Sequence, residues 1–192
     1  MIRHTHREGR PHGEGRHGSG HSIVELRRDE LTYDVKNTLY IFARGQEGQG
    51  VGPRKMAMVY DVGEDGNRDK LARLLDAAVE DCREKLYALT RREGREAYAS
   101  DDWAEVAGAD ENGEEEYLLR LSLPVSMSAT SVRAMAVYMH DYVVNTVAKE
   151  WLLLVYAEGA AQFAALADDA EARMKSAARK VARARRIRMS TF

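Results

Sequence analysis

One long helical stripe constrains the fold of this chain more than any other feature of its sequence. From Val132 onward, apolar residues recur every three or four positions, which is the spacing of one face of an α-helix. Several Ser and Thr residues between Ser126 and Ser131 can cap the N-terminus of this helix. We therefore predict a long central core helix that breaks or bends around Glu158 and Gly159. Its inner face comprises Val132, Met135, Met139, Val143, Val147, Trp151 and Leu154.

Three further segments have the helical period. The first begins with the capping-box spacing of Ser22 and Glu25 and runs towards Arg44, where Gly45 ends it. The second is capped by Asn67, and the last follows the break near Gly159. In chain order, the three stripes are Arg28, Leu31, Val35, Leu39 and Phe42; Leu71, Leu75, Ala78, Cys82, Leu86 and Leu89; and Phe163, Leu166, Ala170, Met174, Ala177, Val181 and Ala184.

Two short segments alternate as strands do. One comprises Met56, Met58, Tyr60 and Val62, and the other comprises Tyr117, Leu119, Leu121 and Leu123, ended by Pro124. Between them, Ser100 can cap a short helical turn through Val106, in which Trp103 is either an edge of the core or an interface residue. The predicted fold class is mainly α, a bundle of about four helices with two short extended segments.

Length and composition indicate one packed domain over residues 22–192. The chain has 192 residues, 44% of them hydrophobic, and a formal net charge of -2. Its single cysteine, Cys82, excludes an internal disulfide and falls on a core stripe. The first twenty residues are polar, and the longest apolar run, Trp151 to Ala157, is too short to cross a bilayer. We expect a soluble intracellular protein without membrane contact.

Residues 1–21 form a separate region that is rich in His, Gly and Arg. Because almost no aliphatic side chain occurs there, the region cannot bury itself and is predicted to be a flexible arm. It is either a metal-binding tract or an arm that docks on a neighbour, and the Gly-rich spacing favours the arm. Its histidines are His4, His6, His12, His17 and His21.

Charge is segregated along the chain. The predicted last helix, residues 159–188, becomes basic, with eight Lys or Arg and no acid between Arg173 and Arg188. Such asymmetry favours head-to-tail contact between copies, although two solvated faces would also account for it. The candidate partner or phosphate contacts are Arg179, Lys180, Arg183, Arg185, Arg186 and Arg188; the acidic patch comprises Asp101, Asp102, Glu105, Asp110, Glu111, Glu114, Glu115 and Glu116.

Motifs for catalysis or cofactor binding are missing from the sequence. His140 and Asp141 point about 100° apart on a helix, so they form no dyad, and a buried, hydrogen-bonded histidine is the better interpretation. The glycine-rich loop at 45–52 lacks the Lys-Ser/Thr of a phosphate-binding loop, and two Asp-rich loops lack the twelfth-position acid of a calcium site. We expect no catalytic, cofactor-binding or metal-ligating residues and no enzymatic activity.

The strand, proline and cap that precede the central helix resemble small structural proteins of bacteriophage and prophage. The likeness continues through His140 to Val144, Trp151-Leu152 and the segment Asp61 to Asn67, and it covers roughly residues 22–192. It implies a virion structural protein of the head-tail connector or neck type, a ring subunit that joins portal to tail. The expected partners are further copies, portal and tail proteins, with nonspecific DNA contact as an option. The expected locations are the virion and, during assembly, the host cytoplasm.

A nucleic-acid-binding regulator is the alternative interpretation of the basic C-terminal helix. Against it, the sequence has no recognisable helix-turn-helix, and its isoelectric point of about 6.3 is low for such a module.

Overall fold

The computed structural model describes residues 19–47, 52–90, 107–109, 115–124 and 127–179. Helices dominate these residues, which confirms the predicted fold class, mainly α. In chain order the elements are β1 (Ser19–Arg27), α1 (Arg28–Gln46), α2 (Pro53–Tyr60), two short 3-10 turns (Asp61–Gly63 and Asp65–Asn67), α3 (Arg68–Thr90), β2 (Ala107–Ala109), β3 (Glu115–Pro124), α4 (Ala129–Val155) and α5 (Ala157–Ala178).

The three strands form an antiparallel sheet in the order β1-β3-β2. Val24 pairs with Leu119 and Leu26 with Tyr117, and all four side chains are buried. Since alternate residues of a strand share a face, one side of the sheet closes the helical core. The predicted strand ending at Pro124 is confirmed.

Helix α4 lies at the centre of the core, as its stripe predicts. Ser128 caps it, its hydroxyl accepting a hydrogen bond from the Ser131 amide at 3.1 Å. Of the predicted inner face, only Leu154 is exposed. The break falls at Tyr156, two residues before the predicted position, and α5 begins at the next residue.

The joint between α4 and α5 is tightly packed around Gly159. A Cβ atom at this position would lie 2.6 Å from Cζ of Phe42 and 2.8 Å from Cδ1 of Tyr156. Phe42 also meets Phe163 edge to face, with ring centroids 5.3 Å apart. Only a residue without a side chain lets α5 approach α1 this closely.

Helix α3 packs its predicted stripe against α4 and α5. The thiol of Cys82 is fully buried and contacts the Met174 sulfur at 3.8 Å. Burial raises the pKa of this thiol to about 12, so it remains a protonated core group. The other buried members of the stripe are Leu71, Leu75, Ala78 and Leu86, while the side chain of Leu89 lies outside the described set.

Two local predictions are wrong. Ser22 and Glu25 do not begin a helix: they lie in β1, and α1 begins at Arg28 because Val24 and Leu26 gain cross-strand partners in β3. The segment from Met56 to Val62 is not extended. It forms α2 and a 3-10 turn, because Pro53 presets the first helical position and Met56 and Val59 bury one helical face.

The α5 stripe is displaced by one position in its middle. Leu166 is exposed and Ala167 is buried in its place, whereas Phe163, Ala170, Met174 and Ala177 are buried as predicted. Val181 and Ala184 lie outside the described residues, as do Ser100, Trp103 and the arm up to residue 18.

Candidate functional site

Helix α1 presents large apolar side chains to solvent on the side opposite its core stripe. Tyr33 is 68% exposed, Tyr40 52% and Ile41 62%. At about 100° per residue these three side chains fall within an arc of about 100°, so they form one surface, here called the α1 outer face. Exposed apolar residues that cluster in this way mark contact surfaces more often than scattered ones do.

A cleft of about 840 Å³ adjoins the α1 outer face at Tyr33. It lies between the first half of α1 and the segment that leads from α2 into α3. Val62, Leu71 and Leu75, all buried, contribute to its lining from the core side. Charged residues complete the lining: Arg28, Asp29, Lys36, Glu64, Asp65, Arg68 and Asp69.

Part of the charge at this cleft is already neutralised. Arg28 donates to Asp76 of α3 at 3.1 Å, and Asp29 accepts from Arg27 at 3.3 Å. The carboxylates of Glu64, Asp65 and Asp69 form no ion pair with any described residue, and the same holds for the cations of Lys36 and Arg68.

Beside Arg28, which lines one end of the cleft, α1, α3 and β3 meet in a three-way contact. Tyr117 donates its hydroxyl hydrogen to Asp76 at 2.5 Å, and the Arg28 guanidinium lies 5.8 Å from the Tyr117 ring centre. Burial, followed by the bond to Asp76, raises the pKa of Tyr117, so the phenol remains a neutral donor. These groups position the start of α1 on α3.

A second polar contact closes the far end of the α1 outer face. Tyr40 and Tyr60 pack with ring centroids 5.5 Å apart, and the Tyr60 hydroxyl donates to Glu47 at 2.9 Å. Arg44 completes the group by donating to Glu47 at 3.0 Å. Partial desolvation and the Glu47 carboxylate raise the pKa of Tyr60. Helix α2 is thereby fixed beside the end of α1.

The α3, α4 and α5 helices are joined by a polar cluster on another side of the bundle. Tyr142 donates to Asp81, and Lys85 lies 5.6 Å from the Tyr142 ring centre and 2.7 Å from Glu171. Lys175 also donates to Glu171. Burial and then Asp81 raise the pKa of Tyr142, while the hydrogen bond with Glu171 raises that of Lys85. These contacts join all three helices, so the cluster clamps α3, α4 and α5 together.

His140 has a partner other than its sequence neighbour. Its Nε2 lies 3.3 Å from Oδ2 of Asp34 on α1, and the imidazole is 25% exposed, so it is less buried than predicted. Partial burial raises the pKa of the Asp141 side chain. The backbone carbonyl of Asp141 accepts a hydrogen bond from the side-chain amide of Asn145 at 2.7 Å. His140 and Asp34 therefore link α1 to α4.

Most residues of the predicted charged surfaces lie outside the described chain. Arg179 is exposed directly after α5, whereas Lys180, Arg183, Arg185, Arg186 and Arg188 are outside the described set. Of the acidic patch, Glu115 and Glu116 begin β3, where they pair in register with β2, and the other six are outside.

Within the described residues, no three side chains of His, Cys, Asp or Glu converge to form a metal site. None of the described helices combines the length and the apolar character needed to cross a membrane.

No protein-family model, curated protein or solved structure matches this chain.

The α1 outer face and the cleft were missed by the sequence interpretation. Tyr33, Tyr40 and Ile41 lie between the core positions of the first stripe. Three large apolar side chains at outward positions of a predicted helix could have indicated a contact surface. The cleft had no signal, because its two sides are 26 to 47 residues apart in the chain at Lys36 and Val62 and at Arg28 and Leu75.

Proposed function

We propose that this protein is a non-enzymatic assembly subunit, and that it forms a ring at a bacteriophage head-tail connector. The α1 outer face is the observation that carries the assembly part. Burying Tyr33, Tyr40 and Ile41 against another protein would remove apolar surface from water, which is the main driving force of association.

The cleft beside this face supports the same proposal. Aromatic side chains next to a concave surface, whose charges are only partly paired among the described residues, match the make-up of protein interfaces, in which an apolar centre has a polar rim. The α1 outer face and the basic C-terminal sequence are different parts of one chain. A contact between two different surfaces is heterologous and closes into a ring when its rotation allows.

The connector part of the proposal is supported by the resemblance of the strand, cap and central helix to phage structural proteins. The polar contacts at Asp76, Asp81 and Glu171 are consistent with it, since they hold helices in place and leave the tyrosines protonated. A subunit of a ring needs such a rigid frame and no reacting group.

The first experiment is mass photometry of the purified protein across concentration and salt, with negative-stain images of every large species. Closed rings, either spontaneous or on addition of portal or tail protein, are the expected result. A stable monomer that ignores those proteins and shifts a DNA probe at low salt would contradict the proposal and favour nucleic-acid binding.

A matched pair of variants tests whether the α1 outer face is the contact. The double variant Tyr33→Ser/Ile41→Ser is expected to shift the mass distribution towards monomer. Leu153→Ser, at an exposed position on α4, is the control and should leave the distribution unchanged. If both variants shift the mass distribution equally, loss of any exposed apolar side chain weakens assembly to the same extent. The α1 outer face would then not be the specific contact.

A further inference from the structure

We propose that the cleft between α1 and α3 receives the basic C-terminal segment, residues 180–192, of a second copy of this chain. This inference rests on the proposed assembly function and names its contact. The cleft and the segment belong to different parts of the chain, so each copy offers one of each.

The cleft suits a segment that carries both apolar and cationic side chains. Its core-facing lining is apolar, with Val62, Leu71 and Leu75, and Tyr33 at its edge offers an aromatic ring. Residues 180–192 contain both kinds of side chain, since the apolar Val181, Ile187, Met189 and Phe192 are interspersed with arginines in the sequence. Amphipathic segments of this composition bind grooves between helices.

Charge favours this occupant over an acidic one. Segment 180–192 carries Lys180, Arg183, Arg185, Arg186 and Arg188 and no acid. At the cleft, three carboxylates, Glu64, Asp65 and Asp69, lack ion-pair partners among the described residues, against two such cations, Lys36 and Arg68. The carboxylates outnumber the cations by one, so the cleft attracts a basic segment and disfavours an acidic one.

The position of Arg179 makes the segment available for contact. Along α5, Glu171 contacts Lys85 and Met174 contacts Cys82, so α5 runs antiparallel to α3 and Arg179 is exposed at its end. Thirteen residues follow Arg179, and fully extended they span roughly 43 Å at about 3.3 Å per residue. That reach exceeds the length of α3, so the segment is long enough to extend beyond the helices of its own chain.

Charge reversal in the full-length chain tests the pairing. Glu64→Lys/Asp65→Lys/Asp69→Lys reverses the cleft, and Arg183→Glu/Arg186→Glu/Arg188→Glu reverses the segment. Each variant alone is expected to lose the oligomer in mass photometry at a concentration where the unmodified protein assembles. An equimolar mixture of the two is expected to regain it, because each reversed surface then meets its complement on another molecule.

Two controls make the result specific. Lys36→Glu removes an opposing cation, so this variant should assemble at lower protein concentration than the unmodified chain. Circular dichroism and thermal unfolding of each variant establish that it is folded, and the exposed positions of Glu64, Asp65 and Asp69 make that the expected outcome.

The possible failures are distinguishable from failure of the assembly function itself. If the unmodified protein assembles and the cleft variant does so equally well, the cleft is not the contact, while the assembly function stands. If the unmodified protein stays monomeric under all conditions and with portal or tail proteins, the assembly function fails. Chemical crosslinking of a mixture of isotope-labelled and unlabelled protein, read by mass spectrometry, gives a further test: if crosslinks between segment 180–192 and the cleft form only within one chain, the segment occupies its own cleft and the second-copy proposal is overturned.

Discussion

The α4-α5 hairpin and the α1 surface dispose of their large apolar side chains differently. Helix α4 buries such side chains on several sides, and its exposed ones are Val137 in its first half and the neighbouring Leu153 and Leu154 at its C-terminal end. Helix α1 buries one stripe and gathers Tyr33, Tyr40 and Ile41 on the other side. The first arrangement gives the fold its stability, and the second leaves a surface whose apolar area is still available to a partner.

The largest expected effect is on the free energy of unfolding, and it distinguishes substitutions at two adjacent leucines of α4. Leu152 is fully buried and Leu153 is 50% exposed. Leu152→Ala should lower the free energy of unfolding by about 2 to 5 kcal/mol, because it removes apolar contacts and leaves a cavity. Leu153→Ala should change it by less than about 0.5 kcal/mol. Urea denaturation measures both, and similar losses would show that α4 is not the central helix.

Next in size is the joint at Gly159. Gly159→Ala should destabilise the fold by about 1 to 3 kcal/mol, because the new Cβ meets the rings of Phe42 and Tyr156, which already pack on each other. Gly45→Ala in α1 is the matched control: nothing in the described part of the chain lies within 4 Å of its added Cβ. That change should stabilise the helix by about 0.5 to 1 kcal/mol. If both variants shift the midpoint of unfolding in the same direction, the close approach of α5 to α1 at Gly159 would be refuted.

A pH dependence probes the clamp that holds the hairpin to α3. Partial burial opposes ionisation of Glu171, but the hydrogen bonds from Lys175 and Lys85 outweigh it and lower the pKa of this carboxyl below its ordinary 4.5. A depressed pKa contributes stability that is present above the unfolded-state value and is lost as pH falls through the folded-state value. The stability gap between the unmodified chain and Glu171→Gln should therefore shrink below pH 4.5. A gap that is constant between neutral and strongly acidic pH would exclude this contribution.

The smallest expected effect on stability is at the α1 outer face. Ile41→Ser should alter the free energy of unfolding of the monomer by less than about 0.5 kcal/mol, because the side chain has little to lose on the folded surface. Thermal unfolding at a protein concentration too low for assembly measures this value. A loss comparable to that of Leu152→Ala would place Ile41 in the core and remove the contrast between the two regions.

Long periodic segments and one short strand with a clear end were predictable from sequence, whereas two other short segments were not. The stripes of α3 and α4 repeat over many turns, so the helical period is unambiguous, and the strand from Tyr117 has a proline to end it. In β1, Ser22 and Glu25 have capping-box spacing by coincidence, and only pairing with β3 decides the conformation. In α2, Met56 and Met58 fit an alternating pattern, although Pro53 marks a helix start.

The two candidate surfaces differ in how far the sequence could have revealed them. The outward positions of α1 could be read from its own period once α1 was located. The cleft, in contrast, lies between the start of α1 and the start of α3, which are far apart in the chain and which the contact of Arg28 with Asp76 joins. The periodicity of one helix or strand carries no information about which other elements pack beside it.

The direct junction of β1 and α1 has a mechanical consequence. Arg27 ends the strand and Arg28 begins the helix, with no loop residue between them. A strand registered to β3 over nine pairs cannot slide freely, and no loop separates it from α1 to absorb a shift. Any displacement of β1 would therefore pass directly to the start of α1, the helix that carries Tyr33 and Tyr40.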